Sequence, residues 1–171
     1  MLRHTKKIRE KYEDIQRMLY YMIPERWEAL YLYASIIEKE DGKVTGELFF
    51  YYIPKGILKK NPVNVYEIPT RFNIEEKYET IKELREEFKK TEQKLWSNLT
   101  IIIKGTKFAI EFGYEDLLND GLTSYERHII WRYKYLGLSM DYLTKEEKLV
   151  LKKYMIDKKE NSELPKEYYD A

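Results

Sequence analysis

Ile8, Tyr12, Ile15, Leu19 and Met22 recur near the start of the chain at steps of four and three, the period of one helical face, and Pro24 ends the pattern. From Trp27 to Glu38 that period disappears: WEALYLYASIIE is rich in aromatic and β-branched residues and predicts a strand. Asp41-Gly42 supplies a turn, and Val44 to Ile53 (VTGELFFYYI) returns as the second arm of a hairpin. Both arms carry apolar residues on both faces, as strands do when they are central to a sheet or covered on two sides. Residues 54–72 hold Pro54, Gly56, Pro62 and Pro69 and read as an irregular connection with a short strand near Val63–Tyr66.

Asn73 is a good helix N-cap with Glu76 at N3, and Ile74, Tyr78, Ile81, Leu84, Phe88, Thr91 and Leu95 then keep the helical period. Leu99, Ile101 and Ile103 alternate with Thr100, Ile102 and Lys104. After Gly105-Thr106 the alternation resumes at Phe108, Ile110 and Phe112, so a second hairpin is predicted. Thr123-x-x-Glu126 is a capping box opening a helix with Tyr125, Ile129, Tyr133 and Leu136 as its inner stripe and Gly137 at its C′ position. Thr144-x-x-Glu147 opens another, bearing Val150, Leu151 and Tyr154. The predicted class is α+β: an antiparallel sheet built from two hairpins with helices packed on one face. Residues 1–156 form a single domain, and 157–171, polar and containing Pro165, form a loosely held tail.

Composition narrows the function. Charged residues make up 36% of the chain, but the formal net charge is only +1, so a nucleic-acid binder relying on phosphate contacts is not expected. The absence of cysteine excludes disulfides, thiolate zinc sites and a cysteine nucleophile. No apolar stretch approaches a membrane span or a secretory h-region, and the expected location is the cytoplasm, with no membrane partner. The 17 tyrosines and 3 tryptophans suit a binding surface, since both residue types are enriched at hot spots; a codon bias toward tyrosine gives the same count.

No catalytic constellation emerges: there is no glycine-rich phosphate loop, no G-x-S-x-G and no H-E-x-x-H. The two histidines, His4 and His128, read as a surface residue and a helix-flank residue. Glu111, Glu115, Asp116 and Asp120 crowd the exit of the second hairpin, and paired acids at a strand end can hold Mg²⁺. Paired-carboxylate nucleases, however, carry a lysine two residues after the second strand acid, and that position here is Gly113. A metal-dependent hydrolase is therefore the weaker reading; no cofactor, no metal and no enzymatic activity are expected. The same acids, with Glu126 and no basic residue between Phe108 and Glu126, are interleaved with Phe112, Tyr114, Leu117 and Leu118. An acidic ridge with aromatic anchors fits a partner whose working surface is basic. The competing reading keeps Leu117 and Leu118 in the core and leaves the acids to solvate a loop.

Glu111-Phe112-Gly113-Tyr114-Glu115-Asp116, Ser124-Tyr125-Glu126-Arg127 and Trp131-Arg132-Tyr133-Lys134-Tyr135-Leu136-Gly137 together resemble the YezG-like family of bacterial antitoxins, which includes the EsaG type. Met22-Ile23-Pro24-Glu25-Arg26-Trp27, Tyr31-Leu32-Tyr33-Ala34 and Trp96-Ser97-Asn98-Leu99-Thr100 extend the resemblance from about Tyr12 to Tyr154. It implies an immunity protein of Gram-positive bacteria that protects against a type VII-secreted or LXG-type nuclease toxin, by binding the toxin's C-terminal nuclease domain. It transfers no catalytic residue. The contacts are inferred from chemistry: Glu111, Glu115, Asp116 and Asp120 facing basic residues, with Tyr114, Tyr31, Tyr33 and Tyr51 on an open sheet face, and Trp131 and Tyr135 off the inner stripe of their helix, as anchors. For each aromatic the alternative is packing within the sheet or helix. An adaptor or export chaperone for a secreted protein is the other non-enzymatic reading.

Overall fold

The computed structural model describes residues 2–56, 61–68, 74–137, 141, 143–160 and 167–170. Helix α1 (Lys6–Tyr20) is capped by the Thr5 hydroxyl, which accepts from the Ile8 amide at 3.2 Å. Strands β1 (Trp27–Glu38) and β2 (Val44–Pro54) form the first hairpin, β3 is the two-residue strand Val63–Asn64, and α2 spans Ile74–Lys89. Strands β4 (Asn98–Lys104) and β5 (Lys107–Gly113) form the second hairpin, followed by α3 (Ser124–Leu136), α4 (Lys145–Glu160) and β6 (Glu167–Asp170). The Asn73 cap lies outside the described residues. Of the residues expected as a tail, 157–160 lie in the last turn of α4 and 167–170 form β6; the others lie outside the described residues.

The sheet is antiparallel in the order β3-β2-β1-β4-β5-β6, so the two hairpins join through β1 and β4, with Leu30 opposite Ile103 and Ala34 opposite Leu99. Strand alternation sends Leu30, Leu32, Ala34 and Ile36, with Phe50 and Tyr52, to one face. Leu99, Ile101, Ile103, Phe108, Ile110 and Phe112 join them there. Against that face pack Ile8, Tyr12, Ile15 and Leu19 of α1 and Ile81, Leu84 and Phe88 of α2. Each such side chain contributes on the order of 1.5–3 kcal/mol when fully buried. Trp96, fully buried, plugs the corner between α2 and β4, where Arg85 Nε donates to its carbonyl at 2.9 Å and Arg85 Nη1 reaches Glu38 Oε1 at 2.5 Å.

The fold is α+β with the two hairpins as expected, but only α1 and α2 share a face of the sheet. Helix α3 lies on the opposite face, over Tyr33, Phe49 and Tyr51, and α4 packs on α3 through Ile129, Ile130, Leu143 and Leu151. The cause is visible in β1 and β2, whose second face carries the large aromatics Tyr31, Tyr33, Phe49 and Tyr51 and demands a cover. Among the described residues no helix is long and apolar enough to cross a membrane.

Candidate partner-binding site

The acidic segment is the connection from β5 to α3, and it is braced from within. At Gly113 there is no room for a side chain: a Cβ would meet the Asn98 amide and the Glu115 carboxylate, each within about 2.6 Å. That closeness lets Asn98 Nδ2 donate to Glu115 Oε2 at 2.7 Å while Ser97 Oγ donates to the Glu115 carbonyl at 2.7 Å, so the start of the loop is tied to the start of β4. Asp116 then folds the chain back on itself, Oδ1 accepting from the amides of Leu118 (3.2 Å) and Asn119 (3.3 Å) and Oδ2 from Asn119 Nδ2 (3.0 Å). The Asn119 side chain, and then these backbone donors, hold the Asp116 carboxyl below the usual aspartate range. Asp120 Oδ1 accepts from the Leu122 amide at 2.9 Å. The Thr123–Glu126 capping box, reciprocal at 3.1 and 3.0 Å, starts α3, and Gly137 ends it in the left-handed conformation at φ 63°.

Helix α3 runs across the strands, one turn per contact. Arg127 and His128 meet β2, Trp131 meets β1 and β4, and Tyr135 meets β5. Arg127 is the anchor: its Nε donates to Glu47 Oε1 at 2.8 Å and its Nη1 to Asp120 Oδ2 at 2.7 Å, with both the guanidinium and Glu47 nearly buried. Glu47 Oε1 also takes the buried Ser35 hydroxyl at 2.8 Å. His128 stacks on Phe49 at 4.2 Å between centroids, and its Nε2 lies 2.9 Å from the Tyr51 hydroxyl. Asn64 Nδ2 donates to that hydroxyl at 3.4 Å. Burial first, and then the Arg132 charge, lower the His128 pKa to about 4. Trp131 Nε1 donates to Thr100 Oγ1 at 3.1 Å and Tyr135 Oη to Glu111 Oε1 at 2.6 Å.

The anticipated residues therefore divide. Tyr33, Tyr51 and Trp131 are buried, at 5, 7 and 4% exposure, and Tyr31 and Tyr135 are half-buried beside them. The sheet face on which Tyr31, Tyr33 and Tyr51 were expected to stand open is closed by α3, and Trp131 and Tyr135 form that helix's sheet-facing stripe. Tyr114 is half-buried at the rim of the α1/α2 core with Lys94 Nζ 5.3 Å above its ring. Glu111, Glu115 and Asp120 each turn to a different partner within the chain, so the acids do not converge; among the described residues no group of three or more His, Asp or Glu could hold a metal ion. In the loop and the first turn of α3, Asp116, Leu118 (46% exposed), Asn119, Asp120 and Tyr125 (55% exposed) face solvent. Leu117 goes to the core. Tyr125 was placed on the inner stripe of α3; a stripe drawn through Arg127, Trp131 and Tyr135 puts it outside. The signal for that stripe is Arg127 itself, the first basic residue after a run of acids, a turn beyond the capping threonine.

The scaffold is thus an antiparallel sheet covered on both faces, with a hydrogen-bonded acidic loop leading into α3. The model of the family described as "Immunity protein YezG-like" matches residues 8–150, and the chain belongs to that family. It is 34% identical over 144 residues to the immunity protein YezG of Bacillus spizizenii, an alignment covering 78% of this chain and 85% of the relative. It is 29% identical to the immunity protein YezG of Bacillus subtilis over 141 residues, 77% of this chain and 89% of the relative. To the type VII secretion system protein EsaG of Staphylococcus aureus it is 27% identical over 143 residues, 77% of this chain and 83% of the relative.

Proposed function

We propose that this immunity protein binds the nuclease domain of a secreted antibacterial toxin, of the type VII-secreted or LXG kind, one to one in the cytoplasm of the cell it protects, and blocks DNA cleavage without catalysing any reaction. The observation that carries this reading is the braced β5–α3 loop, which presents Asp116, Leu118 and Tyr125 outward on a backbone already fixed by its own hydrogen bonds. A nuclease must offer basic residues to DNA phosphates, and an acidic loop with apolar anchors complements such a surface. A preordered loop also loses little conformational freedom on binding, which favours high affinity. Glu111, Glu115 and Asp120 contribute field and shape through their internal bonds, and Tyr114 borders the same surface.

The test is binding of the cognate nuclease domain by purified variants, with DNA cleavage as the readout. Tyr125→Ala and Leu118→Ser each raise Kd by about tenfold or more, the range of hot-spot truncations. Asp116→Asn keeps the local acceptor, lowers the association rate and flattens its salt dependence. All three leave the melting temperature within a few degrees. Undiminished cleavage with equimolar wild-type chain, or Kd values untouched by all three changes, removes the proposal. That the S. aureus relative is a type VII secretion system protein supports a second reading, an adaptor in secretion. Binding of a secreted protein without loss of that protein's activity distinguishes it.

A further inference from the structure

We infer that the outer edge of β5 is a strand-docking site, and that an extended segment of the partner displaces β6 from it on association; this rests on the toxin-binding reading above. The chain itself shows that the edge accepts an antiparallel strand. β6 lies along it from Ala109 opposite Asp170 to Phe112 opposite Glu167, four residues that close the sheet. The two sides of β5 differ in how firmly they are held. On the inner side it pairs with β4 along its whole length, from Asn98↔Gly113 to Lys104↔Lys107, and Phe108, Ile110 and Phe112 are fully buried in the α1/α2 core. On the outer side the four-residue strand β6 stands at the sheet's edge and has hydrogen bonds along one side only. Each of those bonds replaces one to water and so gains little, while ordering β6 costs conformational entropy. A rigid strand with an exchangeable neighbour is what strand addition requires.

The occupant follows from continuity. Past Gly113 the chain leads directly into the loop carrying Asp116, Leu118 and Tyr125, so a partner segment laid along β5 and a basic surface set against that loop form one uninterrupted contact. A second copy of this chain at the same edge makes no use of the loop.

Hydrogen exchange and affinity, measured on the full chain with its cognate nuclease domain, decide the matter. In the complex, amides at 167–170 exchange about 3- to 10-fold faster than in the free chain, while those of Lys107–Gly113 stay slow. A chain ending at Glu160 binds about 3- to 10-fold tighter, as expected for a site that β6 otherwise occupies some 70–90% of the time. Tyr169→Pro in the intact chain removes a backbone donor from β6 and tightens binding in the same sense, which guards against misfolding of the shortened chain. Unchanged protection at 167–170, or affinity unmoved by both variants, overturns the docking edge and leaves the toxin reading standing. Failure of the intact chain to bind overturns both. Dimerisation of the shortened chain, read by light scattering, assigns the edge to a second copy and also overturns the proposal.

Discussion

Arg127 is the residue on which the site's shape turns. Its guanidinium joins Glu47 of β2 to Asp120 of the acidic loop in a nearly dry pocket. Arg127→Met leaves the Glu47 carboxylate buried without its counter-charge, and the expected loss in denaturant unfolding is about 3–5 kcal/mol. Adding Glu47→Leu removes the stranded charge, so the double variant recovers part of that loss, and the difference measures the coupling between the two. His128 gives the neighbouring pocket a pH dependence. Its folded-state pKa, about 4, lies below the ordinary 6.5. Between those values the unfolded chain takes up a proton that the folded chain refuses, so stability is fully present above about pH 6.5 and declines as pH falls toward 4. With solvent reaching part of the ring, the decline is on the order of 1–2 kcal/mol. His128→Gln flattens that part of the stability–pH curve; an unaltered curve in the variant shows that another group titrates.

At the scale of elements, α3 is the piece that turns a two-layer arrangement into one covered on both faces. Trp131 sits at its centre, against Tyr33, Phe49 and Tyr51 at ring distances of 5.9–6.1 Å, with its indole N–H on Thr100. Trp131→Ala opens a cavity there and costs about 3–5 kcal/mol, seen as a lower denaturation midpoint, whereas Trp131→Phe, which loses the Thr100 bond and keeps the ring, costs distinctly less. The strands and helix starts are legible in the sequence because each carries its own punctuation. β1 is bounded by Pro24 and by Asp41-Gly42, and α3 and α4 open on Thr-x-x-Glu boxes. The packing side of α3 is not legible in the same way, because the helix buries two faces. Ile129 and Tyr133 meet α4, while the stripe toward the sheet is Arg127, His128, Trp131 and Tyr135, whose charged and amphipathic members do not register as a hydrophobic period. For the same reason the acidic loop is readable in the sequence while the bonds of its members are not: Glu115 and Asp120 look like Asp116 in a string of letters, and only the fold shows that Asn98 and Arg127 hold them.

Taken as a whole molecule, the protein separates two tasks in space. One face of the sheet carries the large core with α1 and α2, and the other carries the helix that delivers the acidic loop to solvent. The way α3 spans the sheet has a consequence for how such proteins diversify. Each of its turns is matched to a different strand: Arg127 to Glu47, His128 to Tyr51, Trp131 to Thr100 and Tyr135 to Glu111. A replacement at one member of a pair is tolerated only with a compensating replacement at the other. Asp116, Leu118 and Tyr125 carry no such tie to the sheet and can drift one at a time. Aligned relatives should therefore show correlated substitution at the four pairs and independent substitution at the three outward positions, so that new target specificities arise on an inherited frame without renegotiating it.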